Sequence, residues 1–482
     1  MDNTREKVQK EKAFSSINFR SFLVVVILLA VILAVAGILS NFVPQGSYQR
    51  DADGNILPGT YVGSGVSGIA FWRVITAPFR VLVGEDSLTI IMISVFLLVM
   101  SGVFNVMEKT NGVKAVIKKG MATFSKRKKA VICVAVLFFM SFGSFFGMFE
   151  ELVTLLPIII MFMLSLGFDT MTGLGVCMLS ACFGFSAAIT NPFSVGLASE
   201  VAGVAVFEGV WLRLIFFALV FGVVTGFILI HVKRIQKNPT KSLTYEIDRE
   251  KLKNINFDKE TIENESKIFK TYAIFFLVEM VILVLIASIR AISGFAIPIL
   301  AVTFLIGGIT SGLIVSSDKK KVLKDFGSGA LSMVPAVFMI MLASSVKLVL
   351  AESNIIDTVM HSVITALDGK SKFVCVVLIY LLILFLQVFI GSASAKIMLI
   401  MPIIMPICTA LGISPAIVIL TYCMADGFTD MILPTNPVLL IGLSMANVSY
   451  GKWIRWTWLL QIIMLALTLL VLLFAVNVGY GI

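Results

Sequence analysis

The sequence predicts an all-α integral membrane protein, with about nine transmembrane helices and two re-entrant hairpins in inverted-topology repeats with broken helices. Of its 482 residues, 59% are hydrophobic and only 14% are charged, and its mean hydropathy of +1.02 lies outside the range of soluble domains. The tripeptide Thr-Asn-Pro occurs at 190–192 and again at 435–437, inside long apolar segments. The proline of each copy follows an earlier one, Pro157 or Pro402, by 35 residues, which indicates an internal repeat.

Each Thr-Asn-Pro predicts a break in a membrane helix. Proline lacks a backbone N–H, and its ring clashes with the carbonyl group one turn earlier, so the helix must unwind or kink. In lipid, the freed backbone groups are tolerated only where protein or a water-filled cavity satisfies them. A single Asn-Pro indicates a plain kink, but a matched pair is typical of transporters, which bind substrates and ions at interrupted helices.

The first half of the chain is predicted to cover residues 21–232, after a polar and basic cytoplasmic N-terminus at 1–20. Residues 130–166 are too long for one span, and the glycines and acidic residues at 143–151 are too polar to cross lipid, which predicts a re-entrant hairpin with a buried tip. The other predicted elements are spans at 22–43, 87–107 and 209–232 and a broken helix at 171–198.

A hydrophilic cytoplasmic linker at 233–268 leads to the second half, 269–482. The second hairpin is predicted at 373–411, and its tip consists of small residues that end at Lys396. The other predicted elements are spans at 269–290, 295–316, 331–350 and 454–478 and a broken helix at 414–446.

The distribution of Lys and Arg residues predicts the orientation of the chain. With the N-terminus in the cytoplasm, the predicted cytoplasmic segments carry 29 of the 38 Lys and Arg residues, as the positive-inside rule requires for a multi-pass protein of the cytoplasmic membrane. The net charge of +10 fits this orientation better than binding to nucleic acid. An odd number of spans separates the two hairpins, so the two repeats are expected to have opposite topology, with the first hairpin entering from the cytoplasm.

Glu151 and Lys396 occupy the same position of the two repeats. A charge at the centre of a membrane helix costs about 2.5 to 3.5 kcal/mol, so each of these side chains needs a partner or a function. Three interpretations are open. The two side chains clamp the amino and carboxylate groups of a substrate, or they form an ion pair with each other, or they lie apart in separate vestibules.

Asp426 and Asp430 lie four residues apart, which predicts that they share one helix face before Asn436. Their counterparts in the first repeat are uncharged, so the second half is expected to bind a cation, either Na⁺, a proton or a substrate ammonium group. The alternative for one of these aspartates is a helix cap or a position in solvent. Glu150 is expected either to face the ion or to be directed to solvent or to hairpin packing. The predicted cation-coupling residues are Glu150, Asn191, Asp426, Asp430 and Asn436.

The two asparagines of the breaks can each offer an amide oxygen to an ion and an amide N–H to a carboxylate, and the sequence does not separate these roles. Glycine and serine at both hairpin tips would let backbone N–H groups approach an anion at a half-helix N-terminus, or would simply permit tight helix packing. The predicted substrate-binding residues are Gly147, Glu151, Thr190, Asn191, Ser392, Ser394, Lys396, Thr435 and Asn436.

The remaining polar residues of the membrane segments are not assigned to the predicted site. Arg213 lies near the outer end of a span, where its side chain is expected to extend towards water, and His231 is expected at the surface. Glu279 lies mid-span and either relays a proton or pairs with a neighbouring helix. The sequence contains no nucleotide-binding loop, zinc motif or nucleophile elbow, so we expect neither an enzyme nor a cofactor. Na⁺ or a proton remains open as the coupling ion, and a homodimer remains open as the assembly.

Several of these stretches resemble the YfcC branch of the C4-dicarboxylate anaerobic carrier family, and the similarity covers most of the chain. The resemblance implies the ion transporter superfamily, whose members use inverted repeats with paired hairpins and move a binding domain against a scaffold. Around Lys396 and Asp426 the sequence is as similar to the aminobenzoyl-glutamate transporters of that superfamily. Members of the family are described as dicarboxylate carriers and as basic amino acid or arginine/ornithine exchangers. The stretches that carry the resemblance are Gly147–Glu151, Asn191–Phe193, Gly196–Ser199, Pro434–Thr435 and parts of 43–110.

The sequence therefore predicts a secondary active transporter, either an exchanger or an ion-coupled symporter, that moves a small carboxylate-bearing solute by alternating access. Four acidic residues near the predicted site, at 150, 151, 426 and 430, face a single cation at 396, which leaves a surplus of three negative charges. This surplus would repel a dianion and favours a basic or zwitterionic amino acid. A C4-dicarboxylate carrier and a cation/proton antiporter without an organic substrate are the alternatives.

Overall fold

The computed structural model describes residues 19–50, 57, 59–66, 68–84, 87–116, 119, 127–254, 264–288, 295–367 and 369–481. The predicted cytoplasmic N-terminus at 1–20 lies almost entirely outside the described residues, and so does the part of the predicted linker at 255–263. The described chain is helical apart from its turns and one two-stranded sheet.

The first half contains nine described helices and a short antiparallel sheet, in which β1 (Gln45–Ser47) pairs with β2 (Val62–Gly65). The helices are α1 (Phe19–Leu39), α2 (Phe71–Arg80), α3 (Ser87–Lys109), α4 (Lys128–Ser141), α5 (Leu156–Ser165), α6 (Thr170–Leu174), α7 (Ser180–Ser186), α8 (Leu197–Ala202) and α9 (Val210–Lys237). Short π-helical turns lie at Phe142–Phe146, Gly175–Leu179 and Pro192–Gly196, and a 3₁₀ turn lies at Glu151–Leu155.

The linker and the second half continue the helical chain. The linker contains a 3₁₀ turn (Pro239–Lys241) and α10 (Tyr245–Asn254). The helices that follow are α11 (Glu265–Ser288), α12 (Ala296–Val315), α13 (Lys319–Ser332), α14 (Val334–Glu352), α15 (Ile355–Ala366), α16 (Lys372–Gln387), α17 (Ala393–Ala410), α18 (Pro415–Ala425), α19 (Pro437–Ala446) and α20 (Tyr450–Asn477). A 3₁₀ turn at Phe428–Met431 separates α18 from α19.

Seven helices of the described residues are long and apolar enough to cross a membrane, judged by length and composition. One arm of each predicted hairpin is among them, whereas the broken helices consist of shorter apolar helices. The predicted all-α membrane fold is therefore confirmed. The seven are Ser87–Lys109, Lys128–Phe146, Val210–Lys237, Ile297–Val315, Lys319–Glu352, Ala393–Ala410 and Tyr450–Asn477.

Each hairpin closes at its base on a lysine. In the first hairpin, Lys128 Nζ at the start of α4 donates a hydrogen bond to the Leu166 carbonyl just after α5, at 2.6 Å. In the second, Lys372 Nζ at the start of α16 lies 3.1 Å from the position that a Cβ on Gly412 would occupy, just after α17. Each hairpin therefore enters and leaves at the same end of the bundle, as a re-entrant segment does.

The two hairpins enter from opposite ends of the bundle, as α9 and α20 show. Each of these helices has 28 residues and spans about 42 Å. His231, in the last two turns of α9, contacts Asp169, which follows the first hairpin. At the other end of α9, the Tyr480 hydroxyl donates to the Gly209 carbonyl at 2.5 Å, while the Tyr480 carbonyl accepts from Ser414, which follows the second hairpin. The repeats therefore have inverted topology.

The helices pack as two groups. The hairpins, the broken helices, α9 and α20 form one group, and α1 to α3 with α11 to α14 form the other, which contacts the first chiefly where α14 packs against α19. Helix α13 occupies residues between two predicted spans and packs closely on α3, since a Cβ on Gly102 would fall 2.5 Å from the Phe326 ring. Asn105 Nδ2 also donates to the Asp325 carbonyl at 2.6 Å, which ties α3 to α13.

The linker is bound to the end of the bundle where the first hairpin closes. Asp169 accepts hydrogen bonds from Ser242 Oγ at 2.7 Å and from His231 Nε2 at 2.9 Å. His231 Nδ1 accepts from Trp456 Nε1 at 3.1 Å, so the proton of this imidazole is on Nε2, the atom that donates to Asp169. His231 is therefore packed between α20 and the linker, and the expectation that it lies at the surface is wrong.

Helix α10 joins the linker to both broken helices. The Asp248 carboxylate accepts from the backbone N–H of Thr170 at 3.1 Å and from its hydroxyl at 2.5 Å, at the start of the first broken helix. Lys251 Nζ donates to the Ala446 carbonyl at 2.8 Å, at the end of the second. We call the contacts of Asp169, His231, Ser242, Asp248 and Lys251 the linker clamp.

Candidate substrate and cation site

The second helix break begins at Asp426, ten residues before Asn436. Helix α18 ends at Ala425, and Asp426 has the extended conformation (φ −84°, ψ 142°). Asp430 lies in the 3₁₀ turn that follows. The prediction that Asp426 and Asp430 share one helix face is therefore wrong, because both residues belong to the unwound segment.

The interrupted segments of the two repeats contact each other at Gly427. The Gly427 carbonyl accepts from Cys182 Sγ at 3.0 Å, and Ser186 Oγ donates to the Met424 carbonyl at 3.2 Å. Gly427 has a φ of +102°, and a Cβ there would lie 2.8 Å from the backbone nitrogen of Ser186. Glycine is therefore required both for the backbone conformation and for the close approach of the two breaks.

Both asparagines cap the half-helix that follows them. Asn191 Oδ1 accepts from the Phe193 N–H at 2.9 Å, and Asn436 Oδ1 accepts from the N–H groups of Val438 and Leu439 at 2.9 and 3.3 Å. The structure thus separates the two roles left open by the sequence, since the amide oxygens are engaged with backbone donors. Asn191 Nδ2, by contrast, is buried without a hydrogen-bond partner.

The threonines of both breaks fasten the hairpin tips. Thr190 Oγ1 donates to the Phe145 carbonyl at 3.1 Å, and Thr435 Oγ1 donates to the Val388 carbonyl at 2.6 Å. Gly147, at φ +69°, lies against the Asn191 amide, so that a Cβ there would fall 2.2 Å from Asn191 Oδ1. The same tip-to-break contact therefore occurs in each repeat, and it places both threonines at the site as structural hydroxyls.

Lys396 is paired with Asp426. The Lys396 side chain is fully buried in the first turn of α17, and its Nζ lies 2.8 Å from Asp426 Oδ1. Asp426 is 1% exposed, and its second oxygen, Oδ2, has no hydrogen-bond partner. In this conformation Lys396 does not pair with Glu151, so the interpretation of these two as an ion pair is wrong.

Asp430 is held by a residue that the sequence analysis missed. Gln387 Nε2, at the last residue of α16, donates to Asp430 Oδ1 at 2.5 Å, and Asn436 also neighbours this carboxylate. Gln387 is 1% exposed, and its Oε1 has no hydrogen-bond partner. The buried hydroxyl of Thr429 also has no hydrogen-bond partner. The sequence feature that could have indicated Gln387 is its polar amide at the end of an otherwise apolar hairpin arm.

Neither Glu150 nor Glu151 forms an ion pair with Lys396, whose partner is Asp426. The buried Glu151 carboxylate accepts from backbone N–H groups of its own turn. Glu150 is half-buried and lines a small apolar cavity, which is bounded by Leu97, Ile297 and Val438. Glu150 thus lies at the boundary between the two helix groups.

The serines of the second tip differ in position. Ser392 is exposed, and its Oγ caps α17 by accepting from the Ala395 N–H at 3.3 Å. Ser394 is half-buried. A serine of the first break, Ser194, is fully buried with an unpartnered hydroxyl, as is the nearby Asn191 Nδ2. The structure therefore adds Ser194 to the candidate site and assigns Ser392 a capping role.

The unpartnered atoms of the site differ in kind between the two breaks. The second break has unpartnered acceptors on Asp426, Gln387 and Thr429, and its three charged groups, Lys396, Asp426 and Asp430, sum to one negative charge. The first break has the unpartnered Asn191 amide and Ser194 hydroxyl. Carboxylate, amide and hydroxyl oxygens are ligands for hard cations and ammonium groups. No group of three or more His, Cys, Asp or Glu residues that could hold a metal ion occurs in the described part of the chain.

The sequence matches known proteins over most of its length. The profile of a family described as C4-dicarboxylate anaerobic carrier (DcuC) matches residues 20–477. An uncharacterised protein of Haemophilus influenzae is 28% identical over 379 residues, which cover 77% of this chain and 72% of that protein. The Escherichia coli protein named "Putative basic amino acid antiporter YfcC" is 27% identical over 387 residues, which cover 76% of this chain and 74% of that protein.

Two solved structures align with the chain at low similarity. The YdaH transporter of Alcanivorax borkumensis aligns with a TM-score of 0.43 and 18% identity, over 95% of this chain and 98% of that chain. MtrF of Neisseria gonorrhoeae, described among antimetabolite efflux pumps, aligns with a TM-score of 0.40 and 16% identity, over 93% of this chain and 94% of that chain.

Proposed function

We propose that this chain, which belongs to the C4-dicarboxylate anaerobic carrier family, is a secondary active transporter of a small carboxylate-bearing solute. The substrate class that we propose is a basic or zwitterionic amino acid, moved by alternating access as an exchanger or an ion-coupled symporter. The protein is a membrane transporter of this family.

One observation carries the substrate class. The second break has one uncompensated negative charge, and the acceptors on Asp426 Oδ2 and Gln387 Oε1 beside it have no partner. A buried charge without a partner is costly, so this break favours a cationic ligand. The first break, which touches it, offers the Asn191 amide and the Ser194 hydroxyl as donors. A ligand with an ammonium group and a carboxylate matches both sets, whereas a dicarboxylate matches only the donors.

The inverted hairpins support alternating access. Each hairpin tip is bound to its own break, in the first repeat through Thr190 and Ser144 and in the second through Thr435 and the Lys396–Asp426 pair. The hairpins open towards opposite ends of the bundle. Release of one tip would open the site to one side while the other tip keeps it closed. Glu150 lies where the hairpin group meets the second helix group, which we propose to be the scaffold against which the binding group moves.

Lys396 supports the proposal in a second way. With Asp426 it forms an internal ion pair that a substrate can exchange: a carboxylate attracts the Lys396 ammonium, while a cationic group takes its place on Asp426. Such an exchange keeps the charges of the site paired both with and without substrate. The coupling ion, where one is used, is proposed to be Na⁺ or a proton at Asp430.

The descriptions of the relatives point to two substrate classes, basic amino acids and C4-dicarboxylates. The Escherichia coli relative is named for basic amino acid antiport, which agrees with the proposed class, and the family description names C4-dicarboxylates. A dicarboxylate would have to bring cations to a break that is already negative, so the charge of the site favours the amino acid. A cation/proton antiporter without an organic substrate would use Asp426 and Asp430 in the same way.

The test is uptake by reconstituted vesicles of labelled arginine, lysine, ornithine and succinate, each with and without Na⁺ and with and without unlabelled amino acid inside. We expect uptake of at least one of the amino acids, and none of succinate. Dependence on internal amino acid indicates exchange, and dependence on Na⁺ indicates symport. Succinate as the sole substrate would refute the amino acid class, and a pH gradient collapsed by Na⁺ alone would indicate the antiporter.

We further propose that the protein resides in the cytoplasmic membrane with the N-terminus and the linker in the cytoplasm, since the linker face carries most of the basic residues. Cysteine labelling from outside intact cells tests this orientation. A single cysteine placed at Gly203 should be labelled, whereas one at Glu250 in α10 should not.

A further inference from the structure

Arg213 is buried in the apolar interior at the opposite end of the bundle from the linker. It is in the first turn of α9 and is 3% exposed. The prediction that it extends towards water is therefore wrong. Its Nη2 donates to the carbonyls of Val206 and, at 3.1 Å, Glu208. Its Nε and Nη1 are buried with no hydrogen-bond partner.

The charge of Arg213 has no counter-charge among the described residues. None of their carboxylates lies within 4.0 Å of its guanidinium group. The Glu208 side chain lines the same cavity but is exposed, so water and salt screen its charge. Removing a guanidinium group from water without a partner costs several kcal/mol, and guanidinium remains protonated at any physiological pH. A counter-ion is the simplest way to satisfy both its charge and its free N–H groups.

A cavity is present where that counter-ion would lie. It is lined by Arg213, Tyr480, Ser199, the exposed Glu208 and the apolar side chains of Ala416 and Ile419. The space inside it is about that of a single water molecule or small ion, far below that of sites for drug-sized ligands. The Ser199 hydroxyl is a further donor for an anion, whereas the Tyr480 hydroxyl already donates its proton to the Gly209 carbonyl.

We propose that the Arg213 cavity binds one small inorganic anion, of which chloride is the commonest. The site is separate from the proposed solute site and does not depend on which solute is carried. The anion would neutralise Arg213 and stabilise the junction of the first broken helix, α9 and α18. Helix α18 runs from Ala416 at this cavity to Asp426 at the candidate site, so occupancy of the cavity would also affect transport.

The test is thermal unfolding of the purified full-length protein in sodium chloride, sodium bromide, sodium acetate and sodium gluconate at equal Na⁺ concentration and ionic strength. We expect chloride and bromide to raise Tm over gluconate, which is too large for the cavity, with saturation as the halide concentration rises. Labelled chloride should bind at one ion per chain by equilibrium dialysis. Stabilisation by acetate but not by halides would refute the inorganic anion.

Two variants separate the site from general effects of salt. Arg213→Gln should lose both the halide-dependent Tm shift and the bound labelled chloride. Arg234→Gln removes an exposed arginine at the other end of the same helix and should retain both. Should Arg213→Gln fail to fold, the wild-type measurements still decide, because equal Tm in chloride and gluconate together with no bound chloride would overturn the proposal.

Discussion

Lys396 Nζ lies 2.8 Å from Asp426 Oδ1, in a pair whose two members are both almost fully buried. The pair joins the tip of the second hairpin to the second helix break, the two elements that must separate if the site is to open. It is also incomplete, since Asp426 Oδ2 has no partner and Asp430 adds a second carboxylate nearby. A pair with these properties holds the hairpin tip against the break and leaves one carboxylate oxygen, Asp426 Oδ2, without a partner.

The first prediction concerns this pair. Replacement of Lys396 by Ala should abolish uptake and lower the free energy of unfolding by roughly 3 to 5 kcal/mol, because Asp426 is left as an uncompensated buried charge. The double variant Lys396→Met/Asp426→Asn should recover most of the stability but not the uptake. Thermal unfolding and vesicle uptake measure the two effects. Uptake by the double variant with wild-type KM would remove the pair from the transport mechanism.

A second prediction concerns Gln387. Its replacement by Leu removes the donor to Asp430 and an amide oxygen that faces the break. Because a hydrogen bond to a charged group contributes about 1.5 to 3 kcal/mol, the KM for the solute or for the coupling cation should rise roughly 10- to 100-fold. Ser392→Ala is the matched control at the same hairpin tip, since Ser392 is exposed, and its KM should change little. Equal effects of the two substitutions would contradict the site assignment.

Gly427 provides a third prediction. Gly427→Ala forces a side chain into a backbone conformation with φ +102° and into space 2.8 Å from Ser186 N. The protein should be destabilised by at least about 1 to 3 kcal/mol and should lose uptake, because the two breaks are pushed apart. Gly391→Ala, which would meet no atom within 4 Å, should fold and transport normally. Normal uptake by Gly427→Ala would show that contact between the breaks is dispensable.

The linker clamp should respond to acid. Burial alone would raise the pKa of Asp169, but hydrogen bonds from His231, Ser242 and Thr172 outweigh it and hold the pKa below the ordinary value of 3.8. A carboxylate with a lowered pKa in the folded state stabilises that state above its unfolded pKa, and this stabilisation is lost as the pH falls through the folded pKa. The clamp should therefore be closed at neutral pH and should release the linker below about pH 4.

Limited proteolysis of the linker measures this release. With an acid-active protease, cleavage within 242–254 should accelerate as the pH is lowered from 5 to 3. Cleavage of an unfolded reference peptide at each pH corrects for the change in the activity of the protease itself. Asp169→Asn should be cleaved faster than wild type already at pH 7, whereas Glu250→Gln, at an exposed position of α10, should behave as wild type. A linker that is equally resistant in Asp169→Asn at pH 7 would show that the clamp does not hold it.

The sequence by itself was sufficient for the architecture. Composition, the repeated Thr-Asn-Pro and the polar hairpin tips predict an all-α membrane protein with inverted repeats, because lipid leaves few ways to satisfy a backbone and proline marks where a helix fails. The same reasoning placed Asn191, Asn436 and the hairpin tips at the breaks, and the similarity to the C4-dicarboxylate anaerobic carrier family is confirmed by the match over residues 20–477.

Only the tertiary structure decided which polar groups meet. The repeat symmetry set Lys396 opposite Glu151, but the second break unwinds at Gly427 and turns Asp426 towards Lys396, a contact between residues 30 positions apart. The four-residue spacing of Asp426 and Asp430 could not predict their relative position, because it assumes an α-helix. Asp426 is extended and Asp430 lies in a 3₁₀ turn. Gln387, Arg213 and the clamp residues were missed or misplaced for the same physical reason: their partners come from other helices, and burial of a polar group is a property of packing that sequence pattern does not carry.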